Sequence, residues 1–167
     1  IAITGAGSAG HLDAMAQQVL RDFFQGIDHD SEQVIRESFG RFYKEHITPL
    51  YQFDVQFPTP DIFAIIGVHS TGRRLILANE QTSIRECHGF VAVGSGQEHA
   101  SILLSRAFVP NLPLERAALL AAYTIYSVKE SVEGCGKNTE LYMMREGRCS
   151  SFWRWDQEKL DECFKQY

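Results

Sequence analysis

The sequence predicts an α+β layered domain, because its helices come in two pairs set around a run of strands and the strand-helix alternation of a doubly wound sheet is absent. The size fits one such domain: 167 residues, 44% apolar and 22% charged, suffice to bury a core.

The chain opens with IAIT, a short β-type run that passes straight into the glycine-rich stretch GAGSAG. From His11, the residues Leu12, Met15, Ala16, Val19, Leu20, Phe23 and Phe24 recur at three- and four-residue steps, which predicts a helix with one buried face ending near Gly26. A second helix is expected after Asp30, with Asp30 as cap and Gln33 three residues on. It runs through Val34, Ile35, Phe39 and Phe42 to about Leu50, before Pro58 and Pro60 break the chain. Three strands follow: DIFAIIGVH, LILANE beyond a turn at residues 70–73, and a segment ending in GFVAVGSG, together an antiparallel meander. After Gly94-Ser95-Gly96, a helix carries Ala100, Leu103, Leu104, Ala107 and Phe108 and stops before Pro110. An alanine-rich helix then spans 114–132, a strand TELYMMRE follows GCGKN, and FWRWDQEKLDECFKQY reads as a strand end and a terminal helix.

Charge and composition exclude several classes. A net charge of -5 without runs of Lys or Arg argues against nucleic acid or an anionic membrane as partner. No apolar stretch approaches the roughly 20 residues of a membrane helix, and the opening residues do not resemble a signal peptide, so a cytoplasmic location is expected. Cys87, Cys135, Cys149 and Cys163 form no C-x-x-C pair, and none of the six histidines falls at H-E-x-x-H spacing, so neither a metal nor a cofactor is expected.

GAGSAG matches G-x-G-x-x-G letter for letter. A dinucleotide site further needs a second parallel strand ending in an acidic residue about 20 positions on. Asp28 and Asp30 stand at that distance, but between two helices, so the dinucleotide reading ranks third. A plain structural reading is that small residues let the helix sit close to its strand.

Both glycine turns taken with the helices and closing strand resemble the 20S proteasome β-type subunits and their bacterial two-ring relatives, in the N-terminal nucleophile hydrolase superfamily. The similarity lies in Ala6-Gly7-Ser8-Ala9-Gly10, the helices from His11 and Asp30, Gly94-Ser95-Gly96 with its following helix, Pro113-Leu114-Glu115-Arg116-Ala117, and Glu133-Gly134-Cys135-Gly136, in the family's order. The resemblance implies a four-layer α/β/β/α sandwich, two antiparallel sheets face to face between helix pairs. It implies amide-bond hydrolysis of peptide or protein substrates, assembly with itself or like subunits into a ring, and an ATPase partner.

In that family, the hydroxyl of an N-terminal threonine attacks while its own α-amine serves as base. Ile1 is similar to the start of the family's third core strand, so residues 1–167 are expected to be a single proteasome-like domain incomplete at its N-terminus, with the nucleophile outside this sequence. Gly7 would supply the oxyanion-hole amide. Gly5, Ala9 and Asp13 would line the first specificity pocket, and Ser95 would hydrogen-bond near the nucleophile's amine unless it merely caps the helix that follows. His11 replaces the turn's aspartate, Val132 aligns with the aspartate that assists the amine, with Glu133 beside it as a substitute, and Cys135 stands where serine is usual. These departures make a catalytically inactive ring or scaffold subunit the chief alternative.

Overall fold

The computed structural model describes residues 1–25, 30–52, 61–70, 73–80, 82–135, 139–145, 148–152 and 154–166. It forms two compact units, residues 1–68 with 72–87, and residues 69–71 with 88–167.

In the first unit, β1 (Ala2–Gly7) leads through Ser8 into α1 (Ala9–Gln25). Then α2 (Ser31–Phe42) begins at Asp30, whose carboxylate accepts the Glu32 amide at 3.0 Å, while Gln33 donates forward to Glu37 at 2.8 Å. The helical path continues through a π-helical turn, Tyr43–Ile47, into α3 (Thr48–Gln52). Next come β2 (Ile62–Ser70), β3 (Arg73–Glu80) and β4 (Ser83–Glu86), giving a sheet in the order β1-β2-β3-β4. β1 pairs antiparallel with β2, from Ala2 opposite Gly67 to Gly7 opposite Ile62, and β3 pairs antiparallel with β4.

The core of this unit sits between the helix pair and the sheet. Met15 and Val19 of α1 and Ile35, Phe39 and Phe42 of α2 are fully buried against Ile62, Ala64, Ile66 and Val68 of β2 and Leu75 and Leu77 of β3. Each large side chain so buried contributes about 1.5–3 kcal/mol of transfer free energy. Alternation along β3 sends Leu75, Leu77 and Asn79 inward and leaves Ile76 39% exposed. Arg36 ties α2 to β4 by donating to the Ile84 carbonyl.

In the second unit, α4 (Gln97–Ala107) and α5 (Leu114–Ser131) pack together, β5 (Leu141–Arg145) and β6 (Arg148–Phe152) form an antiparallel hairpin, and α6 (Arg154–Phe164) returns to α5. The Phe164 ring lies 5.4 Å from Tyr123 and 5.5 Å from Tyr126, and Lys129 meets Asp161 at 3.5 Å.

The α+β class and the order of elements follow the sequence reading, with one correction in the meander. The third strand is Ser83–Glu86, and GFVAVGSG is not a strand: Gly89, at φ +90°, turns the chain out of the extended path straight after β4. The strand end read at Phe152 is the last residue of β6, whose preceding residues from Arg148 the sequence reading leaves unassigned. Gly136 and the rest of GCGKN after Cys135 lie outside the described residues.

Candidate functional site

Four of the six expected site residues fall on the corner between β1 and α1. Gly7 adopts φ +107°, and a Cβ there would collide with the Asp61 carbonyl. Only glycine takes this conformation without strain. The corner is fastened from both sides: the Ser8 amide donates to the Asp61 carbonyl at 2.9 Å, and the Ser8 carbonyl accepts the Leu12 amide, also at 2.9 Å, as the first bond of α1. Ser8 therefore closes the strand and opens the helix.

Gly5, two residues back on β1, faces α1. A side chain there would meet the Phe63 carbonyl and the Leu12 methyl groups, so the missing Cβ is what admits the helix so close to the strand. Ala9 and Asp13 lie four residues apart on α1, hence one above the other on the same face, and both are exposed. His11, in place of the aspartate expected at the turn, points its Nδ1 at the Ser8 hydroxyl, 2.9 Å away.

The other two residues belong to the second unit. Ser95 is exposed in the turn between Gly94, at φ +96°, and Gly96, where the Gln97 amide donates to the Gly94 carbonyl at 3.0 Å. The N-cap of α4 is Gly96, with no side-chain cap bond, so the helix-capping role open to Ser95 in the sequence is not the one it takes. Glu133 is exposed in the turn that leaves α5 at Val132, shaped by Gly134 at φ +82°.

These two turns come together. A Cβ on Gly96 would collide with Val128 Cγ1 and stand 3.2 Å from Cys135 Sγ, so the loop carrying Ser95 rests on the end of α5 and on the loop carrying Glu133. Next to this contact, His99 Nε2 and Ser127 Oγ, 3.1 Å apart, join α4 to α5. The sequence reading missed both Ser-His pairs. Only the first had a local signal, the Ser-x-x-His spacing at a helix start, where a capping box carries Glu or Gln.

The corner does not have the context of a dinucleotide site. β1 runs antiparallel to its neighbour β2, and α1 is followed by α2 rather than by a parallel strand. Among the described residues, no three of His, Cys, Asp and Glu converge on a point able to hold a metal, and no helix is long and apolar enough to cross a membrane.

No protein-family model and no curated protein matches the sequence. Solved structures match by fold. Anbu (ancestral beta-subunit) from Yersinia bercovieri superposes with a TM-score of 0.72 at 12% identity, over 98% of this chain and 75% of that one. The Anbu complex from Pseudomonas aeruginosa, solved as a helical assembly, gives 0.70 at 15% identity, covering 98% and 73%. An Anbu (Gly-1) mutant from Hyphomicrobium sp. strain MC1 gives 0.69 at 13%, covering 98% and 74%. The similarity to 20S β-type and two-ring subunits expected from the motifs is corrected by these three matches, which are Anbu proteins, proteasome-like but a distinct family. The chain thus has the fold of a proteasome-like subunit.

Proposed function

We propose that this chain is a subunit of a self-assembling, proteasome-like amide-bond hydrolase with a four-layer α/β/β/α architecture, whose attacking group comes from an N-terminal segment beyond the present sequence. The observation that carries this reading is the locked conformation of Gly7, held at φ +107° against the Asp61 carbonyl and followed by the bond from Ser8 to the same oxygen. A corner fixed in this way pays no reorganisation cost when charge develops, as an oxyanion donor requires.

In this reading, the Gly7 amide stabilises the tetrahedral intermediate, Gly5, Ala9 and Asp13 border the pocket for the substrate side chain, Ser95 bonds to the nucleophile's amine, and Glu133 offsets that amine's charge. The nucleophile's hydroxyl attacks the peptide carbonyl, and its own amine takes the proton and returns it to the leaving amine. The matched span amounts to 73–75% of the Anbu chains, which is compatible with a longer domain. Assembly with like subunits is supported by the helical assembly of the Pseudomonas aeruginosa Anbu complex. Peptide substrates, a cytoplasmic location and a feeding ATPase belong to the same reading. A second reading, a silent scaffold subunit, is favoured by one observation: the place of the turn aspartate is taken by His11, which bonds to Ser8.

The two readings separate on exposure of the assembled full-length protein to fluorogenic peptides and a β-lactone. The hydrolase reading expects a covalent adduct on the N-terminal residue and turnover that falls about tenfold in Ser95→Ala, as for one lost hydrogen bond to a charged group. Intact assemblies with neither adduct nor turnover would leave the scaffold.

A further inference from the structure

We propose that Ser8 and His11 form a nucleophile and general-base pair within this chain that cleaves carboxylic esters, an activity independent of any N-terminal nucleophile. Ser8 Oγ and His11 Nδ1 stand 2.9 Å apart, within reach for direct proton transfer. Among the described residues, the hydroxyl is engaged by the imidazole and by no amide of the first helical turn, so it is not acting as an ordinary cap.

The backbone supports the same assignment. A nucleophilic serine is presented outward where a strand turns sharply into a helix, with small residues two positions to either side so that strand and helix can converge beneath it. Ser8 stands between β1 and α1, with Ala6 two residues before it; Gly10, two residues after it, faces open space and not the strand. The positive φ of the turn is borne here by Gly7. Ser8 and His11 are half-buried, and the surface beside them is open: Ala9 and Gly10 are exposed, and a Cβ added at Gly10 would meet nothing within 4 Å. The amide following the nucleophile, that of Ala9, precedes the first intrahelical bond, which runs from Leu12 to Ser8, and it is the donor a developing oxyanion needs.

The chemistry closes without a further reagent. Ser8 Oγ bonds to the ester carbonyl carbon as its proton passes to His11 Nδ1. The tetrahedral oxyanion then collapses, the carbon-oxygen bond to the alcohol breaks, and His11 returns the proton to the departing alkoxide. Water attacks the acyl-Ser8 ester with His11 again taking the proton, and the acid leaves as His11 gives that proton back to Ser8 Oγ.

The test uses the full chain and p-nitrophenyl acetate. The expected result is an acetyl group mapped to Ser8 by peptide mass spectrometry and phenolate release that drops about a hundredfold in both Ser8→Asn and His11→Gln. Ser8→Asn removes the nucleophile without removing any cap bond and puts in a residue that suits the start of a helix, so its melting temperature should be no lower than the parent's. If that variant does not fold, Ser8→Cys carries the test, and the acetyl group should then sit on the thiol at position 8. Unchanged phenolate release in Ser8→Asn, or acetylation confined to any other residue, would overturn the proposal. An adduct on the mature N-terminal residue instead would speak for the N-terminal nucleophile alone.

Discussion

The side chain of Asn79 in β3 is spliced into the backbone ladder of β2: its amide nitrogen donates to the Ile62 carbonyl at 2.7 Å, and its oxygen accepts the Ala64 amide. Asn79 is 5% exposed and lies inward with Leu75 and Leu77, so no water stands ready to replace it. It anchors the end of β2 on which Gly7 rests, since Gly7 pairs with Ile62.

Replacing Asn79 with Leu keeps the branched shape but strands two buried backbone groups on β2. A loss of about 2–4 kcal/mol is expected, from one to two unsatisfied groups at their usual cost. Urea unfolding followed by circular dichroism measures it, and a change below about 1 kcal/mol would mean that the ladder rearranges to satisfy itself.

Two glycines three residues apart should respond in opposite directions. Gly7→Ala meets both a positive φ and the Asp61 carbonyl, so a loss of about 3 kcal/mol is expected. Gly10→Ala points into open space within a helix and should stabilise by about 0.5 kcal/mol. Thermal melts of the two variants check the pair. Equal effects would contradict the corner geometry.

The contact of Gly96 with Val128 predicts a specific rescue. Gly96→Ala forces its methyl onto Val128 Cγ1, whose β-branched side chain has little room to turn, at a cost of about 1–3 kcal/mol. Adding Val128→Ala makes room, and the double variant should be more stable than the sum of the single losses, in a double-mutant cycle on melting free energies.

Glu115, in the first turn of α5, pairs with Arg145 of β5. Its own backbone amide, then the hydrogen bond and the positive charge of Arg145, hold its carboxyl below the usual glutamate value. Because the folded carboxyl titrates below its unfolded counterpart, the stabilisation is full above the unfolded pKa and fades as pH falls through the folded one. Both side chains are exposed, so the effect is small and screened by salt. Melting temperatures of the parent and Glu115→Gln should differ slightly at neutral pH and converge in acid. A difference that grows on acidification would contradict the assignment.

Much of the architecture was legible because periodicity records burial. The spacing of Met15 and Val19, and of Ile35, Phe39 and Phe42, marked the faces that meet the sheet, and the proline and glycine breaks marked most element ends. What escaped depended on partners distant in sequence. The ending of β4 at Glu86 goes with a glycine conformation just beyond it, and the insertion of Asn79 into β2 is a tertiary event. The π-helical turn at Tyr43–Ile47 carried no pattern that the sequence reading used. The motifs suggested 20S β-type subunits where the matched structures are Anbu proteins; at 12–15% identity, fold is what remains readable.

Determining the N-terminal residue of the mature protein, expressed from its complete gene and isolated as an assembly, tests the central claim most directly. A threonine, serine or cysteine at that position, carrying the adduct after β-lactone treatment, is the predicted result. A mature protein that starts at Ile1, or at any residue with neither hydroxyl nor thiol, would contradict it.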